Sequence, residues 1–293
     1  MTSRQGKWTV AVVATAGLVA VIAFGAGGSR VAATEAAGRA EVGEARRGAL
    51  TVGVAPAVSD VAVSRSRVPG RPIVVIDPGH GGRDPGARSV SGEVAEKELT
   101  LLLALELRER LVRRGRVRVA LTRESDATLT LEQRAGIARR LGAAMFLSLH
   151  MDSAPNPLAR GASVYSLSDV ASDAEAARFA GVENAGAGLP GEAGAVRSML
   201  ADLSLRGRMA ASAELAARIV RKSAGRVALR PEPHRFAAFH VLRRAETTAA
   251  LFEAGYLSNV DDEVLLRSPE QRARTVTALA ETIETEVAAR NRR

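Results

Sequence analysis

The sequence predicts an α/β fold: a single three-layer domain with a mostly parallel or mixed central sheet flanked by helices, after an N-terminal export segment. Three observations carry this. From about residue 71, short apolar runs of strand length alternate with longer stretches of helical period, the pattern of a sheet covered by helices. Two of the runs, IVVI at 73–76 and MFLSL at 145–149, end at His80 and His150, and open α/β sheets place ligands at the carboxyl ends of their strands. One uncharged apolar run, residues 8–24, stands apart near the N-terminus behind Arg4 and Lys7.

The run at 8–24 is longer than an ordinary signal core and close to the ~20 residues that span a bilayer. It reads as a signal peptide cleaved near Val31-Ala32-Ala33 or as an uncleaved membrane anchor, and either fate exports the remainder. Residues 1–33 are therefore the export segment and 34–70, rich in Ala, Gly, Ser and Arg, a linker with one weak strand near 50–54. The domain proper is expected over 71–293.

Ile73–Ile76 has the continuous apolarity of a strand buried on both faces and stops at Asp77-Pro78-Gly79-His80-Gly81-Gly82. Glu96 opens a helix with Leu99, Leu103, Leu107 and Leu111 on its apolar side, ending at Arg114-Gly115. A strand at 117–121 follows, then a helix at 131–141 with Thr130 and Gln133 as a capping box, then the strand at 145–149. After a strand at 162–166 comes an insertion, 168–212, expected to be helical at 172–180, loose and Gly-rich at 181–194, and helical again at 195–203; helix continues at 212–222. Strands at 239–242 and 249–252 and a final helix capped by Ser268-Pro269 complete the reading.

Composition narrows the chemistry. The chain has 293 residues and 46% apolar content, ample for a packed core. It has no cysteine, so disulfides and thiolate zinc fingers are excluded and any metal must be held by His, Asp or Glu. The 41 basic against 32 acidic residues give +9, but the arginines are scattered through helices without aromatic interleaving, so no nucleic-acid partner is expected.

Two imidazoles and one carboxylate make a three-ligand zinc site with a position left for water, the hydrolytic rather than the structural arrangement. His80, Glu96 and His150 can converge at one sheet edge, and Glu253, closing the strand at 249–252, is placed to act as acid/base. Asp77, Asp84 and Asn259 are candidates for hydrogen bonds behind the ligands, or for bracing their own turns. His234 and His240 read as surface or pocket residues.

The segments IVVIDPGHGGRDPGA, GEVAEKELTL, VALTRESDATLTLEQR, FLSLHMD, GASVYSL and LFEAGYLSN stand in an order that resembles the zinc-dependent N-acetylmuramoyl-L-alanine amidases of the amidase-3 family. The resemblance covers about residue 72 to the C-terminus. It implies one Zn²⁺ per chain on His80, Glu96 and His150, a catalytic Glu253, and hydrolysis of the amide between the lactyl group of muramic acid and L-alanine of the peptidoglycan stem peptide. Ala143-Ala144, Thr248 and Asp152 depart from residues frequent in relatives, and none removes a ligand; Asp152 joins the candidates behind the metal.

The insertion resembles that of periplasmic division amidases, in which a helix covers the zinc until a LytM-type activator displaces it. This implies autoinhibition, with the helix at 195–203 lying over the metal and Glu183 or Glu192 reaching it. It also implies a periplasmic location in a Gram-negative bacterium, soluble or anchored to the inner membrane, and a role in wall remodelling and daughter-cell separation. Two other readings compete: a zinc carboxypeptidase trimming stem peptides, and an inactive wall-binding module, which loss of any of the four key residues would have favoured.

Overall fold

The computed structural model describes residues 58, 60–66, 68–185 and 195–290, with the backbone of 13–15 and 18–20. Near the N-terminus, β1 (Val13–Thr15) pairs antiparallel with β2 (Leu18–Ala20). The rest of the export segment, the weak strand at 50–54, residues 186–194 and Glu192 lie outside the described residues. Among the described residues, no helix is long and apolar enough to cross a membrane.

The predicted strand at 73–76 is β3 (Ile73–Pro78), buried on both faces as its continuous Ile/Val run requires. It pairs in parallel with β4 (Arg118–Leu121) and with β5 (Met145–Asp152), and β5 pairs in parallel with β8 (Thr248–Tyr256). Beyond β8 the sheet changes direction: β6 (Ala162–Leu167) runs antiparallel to β8, and β7 (Leu229–Ala237) runs parallel to β6 at the edge. The order β4-β3-β5-β8-β6-β7 is the mixed six-stranded sheet expected from the alternation of elements.

One face is covered by α1 (Glu96–Arg114), α4 (Ala195–Ser223) and α7 (Pro269–Arg290), which bury Leu103, Leu107, Ile219, Leu279 and Ile283 against Ile76, Leu147 and Phe252. The other face carries α2 (Leu131–Arg140), α3 (Ala174–Glu183) and α5 (His240–Arg244), packed on Phe146, Tyr165 and Leu251. The capping box of α2 forms, with the Gln133 amide donating to Thr130 Oγ1 and the Thr130 amide to Gln133 Oε1.

Two expectations are corrected. Residues 239–242 are not a strand: 240–244 form α5, and the strand is β7, whose Pro231 and Pro233 are tolerated because an edge strand leaves one row of its backbone groups unpaired. The stretch 181–183, expected loose because of Gly181, finishes α3, since Phe179 and Ala180 are buried in the core and tertiary packing outweighs a glycine's helix penalty. The segments 195–203 and 212–222, both expected helical, belong to one helix, α4, and a further short helix, α6 (Val260–Arg267), is capped by the Asn259 side chain, which accepts from the Asp262 amide.

Candidate metal centre and active site

His80 leaves β3 in a left-handed conformation, φ 57°, which is sparsely populated for a side-chain-bearing residue and has to be held by its surroundings. Two buried arginines hold it. Arg134 donates to the His80 carbonyl at 2.6 Å and the Pro78 carbonyl at 2.8 Å, and Arg123 donates to the Gly79 carbonyl at 2.8 Å. The charge of Arg134 is met by Asp77 at 2.8 Å, which also accepts from Thr122 and Ser148. Burial pushes the Asp77 carboxyl up, but Arg134 and these hydrogen bonds outweigh it and hold it below its ordinary range. Asp77 thus braces the loop and contacts no imidazole.

Two glycines make room. A Cβ on Gly79 would lie 2.3 Å from the His150 ring, and one on Gly86, where φ is 66°, would lie 2.5 Å from Glu96 Oε2 and 2.6 Å from His80 Cδ2. The loop can therefore close on the site only without side chains there.

Glu96, the first residue of α1, is buried, and its Oε1 lies 3.0 Å from both His80 Nε2 and His150 Nδ1. The same oxygen accepts the Met151 amide at 3.0 Å while Oε2 accepts the Ala87 amide at 2.9 Å, so the carboxylate is fixed from behind. Asp84 Oδ2 lies 2.8 Å from His80 Nδ1, which makes that nitrogen a donor and turns Nε2 toward Glu96. Burial alone would lower the pKa of His80; hydrogen bonding and charge from Glu96, with Glu183 and Asp84, outweigh it and raise it to about 10.

Glu183 completes the ring. It ends α3, with its carboxylate 3.8 Å from His80 Nε2 and 3.5 Å from His150 Nδ1. His80, His150 and Glu183 offer ligand atoms within 4.8 Å of one another. Of the two carboxylates that the sequence leaves open, Glu183 stands at the site and Glu192 lies outside the described residues. Among the described residues, the cavity of about 750 Å³ around these groups is lined by α3 residues such as Phe179, Val182 and Glu183, so α3 is a segment of the insertion that reaches the site.

Glu253 sits on β8 directly opposite His150 on β5 and Ser163 on β6. It is fully buried, and neither carboxylate oxygen has a hydrogen-bond partner. Burial, then the charges of Asp152, Glu96 and Glu183, push its pKa well above the ordinary carboxylate range. Asp152, at the end of β5, accepts the Ser153 amide at 2.7 Å and is pushed by burial up to about 6. Asn259 is remote from this chemistry: it caps α6 and donates to the Pro157 carbonyl at 2.7 Å. His234 lies 3.0 Å from Ser166 Oγ, and the amide of His240 donates to Asn184.

A divalent cation fits this donor set. The buried His80 Nε2 has no aligned hydrogen-bond partner although Glu96 Oε1 is 3.0 Å away, as expected of two groups aimed at a third centre. Nitrogen and carboxylate donors with no thiolate suit zinc. The carboxylates of Asp84, Glu96, Asp152, Glu183 and Glu253 surround only two imidazoles, an excess that a positive ion relieves.

Comparison with known proteins agrees with this geometry. Residues 74–285 match the family Amidase_3, described as N-acetylmuramoyl-L-alanine amidase. The chain is 34% identical over 218 residues to N-acetylmuramoyl-L-alanine amidase AmiA of Escherichia coli, covering 72% of this chain and 75% of that one. It is 34% identical over 210 residues to the probable amidase AmiB of Haemophilus influenzae, covering 69% of this chain and about half, 49%, of that protein's length. The solved structure of amidase AmiC2 of Nostoc punctiforme superposes with a TM-score of 0.53 at 27% identity, covering 74% of this chain and 97% of that one. Fold, site and sequence agree, and the chain belongs to the N-acetylmuramoyl-L-alanine amidase family of hydrolases.

Proposed function

We propose that this chain hydrolyses the amide between N-acetylmuramic acid and L-alanine of the peptidoglycan stem peptide, with one Zn²⁺ held by His80, Glu96 and His150. The observation that carries the reading is the convergence of His80 Nε2 and His150 Nδ1 on Glu96 Oε1, beside a buried Glu253 whose carboxylate oxygens have no partner. When bound, zinc supplies Lewis-acid polarisation of a carbonyl and lowers the pKa of water toward neutrality. Glu253 takes the proton of the attacking water and returns it to the leaving amide nitrogen, its two oxygens being buried and free of other partners. Asp84 orients His80 through Nδ1, and the Met151 and Ala87 amides keep Glu96 in place.

Glu183 occupies the side of the site that water and substrate would need, which supports autoinhibition by α3. A partner that binds the displaced form of α3, such as a LytM-type activator, shifts the balance only by its preference for that form. Export through residues 8–24, action outside the cytoplasm and a role in daughter-cell separation complete the reading, supported by the apolar run itself and by the similarity to AmiA and AmiB.

The test is digestion of purified sacculi with product analysis. The amidase releases intact stem peptides that begin with L-alanine, and Glu253→Gln, keeping its zinc, loses about 10²–10⁴-fold of the rate. Release of single amino acids would instead identify a carboxypeptidase, and wild-type rates in Glu253→Gln would place the base elsewhere.

A further inference from the structure

The helix that carries Glu183 is also held at its other end, and in a way that mimics a ligand. Glu175, in the first turn of α3, receives Arg230 at 3.1 Å, Arg235 at 2.9 Å and the Tyr256 hydroxyl at 3.1 Å. Arg235 is buried, it also pairs with Asp173, the residue that caps α3, it lies over the Tyr165 ring with its guanidinium carbon 5.7 Å from the centroid, and its Nε has no partner. Two guanidinium groups and a phenol converging on one carboxylate form a recognition site for a carboxylate, since planar forks pair with its two oxygens. Burial pushes the Glu175 carboxyl up, but Arg230 and Arg235 outweigh it and hold it down at about 2.

Glu175 belongs to the same helix as Glu183. Eight residues at ~1.5 Å each put the two about 12 Å apart, a distance that an extended peptide covers in roughly three to four residues. Between the two ends, under α3, Ser163 Oγ and the Tyr165 hydroxyl are buried without partners, and the Tyr165 and Phe179 rings lie 5.3 Å apart. When α3 leaves, it exposes a metal end, a row of unsatisfied polar atoms, and an arginine pair.

We propose that Arg230, Arg235 and the Tyr256 hydroxyl form a subsite for a carboxylate of the substrate peptide, about three residues from the cleaved amide, which Glu175 of α3 fills in the resting chain. The helix thereby blocks two substrate positions at once. The inference rests on the proposed amidase function for the identity of the peptide, but the site itself is defined by Glu175 and its three donors.

The experiment uses the full chain with Asp173→Asn, Glu175→Ala and Glu183→Gln together, so that no carboxylate of α3 or its cap competes at either end. The probes are a synthetic peptide beginning with L-alanine, amidated at its C-terminus, with one carboxylate side chain at its third residue, and its carboxamide counterpart. The acidic peptide should bind at least about tenfold more tightly, and adding Arg235→Gln or, as a more exposed and gentler change, Arg230→Gln should erase the preference while zinc content stays the same. Equal affinity for the two peptides, or a preference that survives both arginine substitutions, would overturn the subsite and leave the arginines as a helix clamp. Sacculus hydrolysis is assayed on the same samples. A retained acid preference without hydrolysis would contradict the amidase reading and support the subsite.

Discussion

His150 on β5 and Glu253 on β8 occupy paired positions of adjacent parallel strands, so the imidazole at the centre of the site and the buried carboxylate share one face of the sheet. Their juxtaposition is set by strand register and not by a loop, and a slip of one residue would send one of them to the opposite face. Glu96 and Glu183 are brought to the same point from the ends of two helices. The sheet therefore carries His150 and Glu253, while Glu96 and Glu183 are carried by the flanking helices.

Glu183→Gln should raise basal hydrolysis of sacculi by about tenfold or more with zinc retained, because the neutral amide is a weaker competitor for the cation, and each ~1.4 kcal/mol of lost differential binding is a factor of ten in population. Rates from purified variant and parent protein, with metal content measured on the same samples, check this. Unchanged basal activity in a zinc-loaded variant would reject the blocking role.

Arg134→Met should destabilise the fold by about 3–5 kcal/mol, since it strands the buried Asp77 carboxylate and frees the carbonyls of Pro78 and His80. Denaturant midpoints measure the loss, and Asp77→Asn in the same chain should recover part of it. A loss below about 1 kcal/mol would show that the ion pair is not what holds the loop.

Asp152 gives a pH signature for the metal-free protein. Its folded pKa, pushed by burial to about 6, lies above its ordinary 3.8, so the folded state keeps a proton that the unfolded state releases. Stability must then fall as pH rises from about 4 through about 6. Asp152→Asn removes this dependence, and thermal midpoints of the two proteins should diverge over that window, the variant ahead at the upper end. Parallel profiles would show that Asp152 is not perturbed.

Much of this was legible in the sequence because it depends on period and punctuation. The strand ends at His80 and His150, the helix start at Glu96 and the capping box at Thr130 all follow from local signals. The places where reading failed depend on tertiary context. Edge strand β7 hides behind Pro231 and Pro233, and α5 hides in FHVLRR, whose apolarity suits a strand as well as a helix. Asp77 and Asn259 look alike as turn acids and amides near motifs, yet one braces the His80 loop through Arg134 and the other caps α6. Glu183 is placed at the site by the packing of Phe179 and Ala180 that seats α3, and the proposed subsite residues Glu175, Arg230 and Arg235 meet through a pairing of β6 with β7 that no local pattern announces.

The most direct test of the account is zinc stoichiometry in the full chain and in its ligand variants, by metal analysis after removal of loosely bound ions. The account predicts one zinc per chain in the parent and in Glu253→Gln, and its loss in His80→Ala and His150→Ala, because three donors are the minimum for a hydrolytic zinc site. Stoichiometric zinc retained in either histidine variant would contradict it.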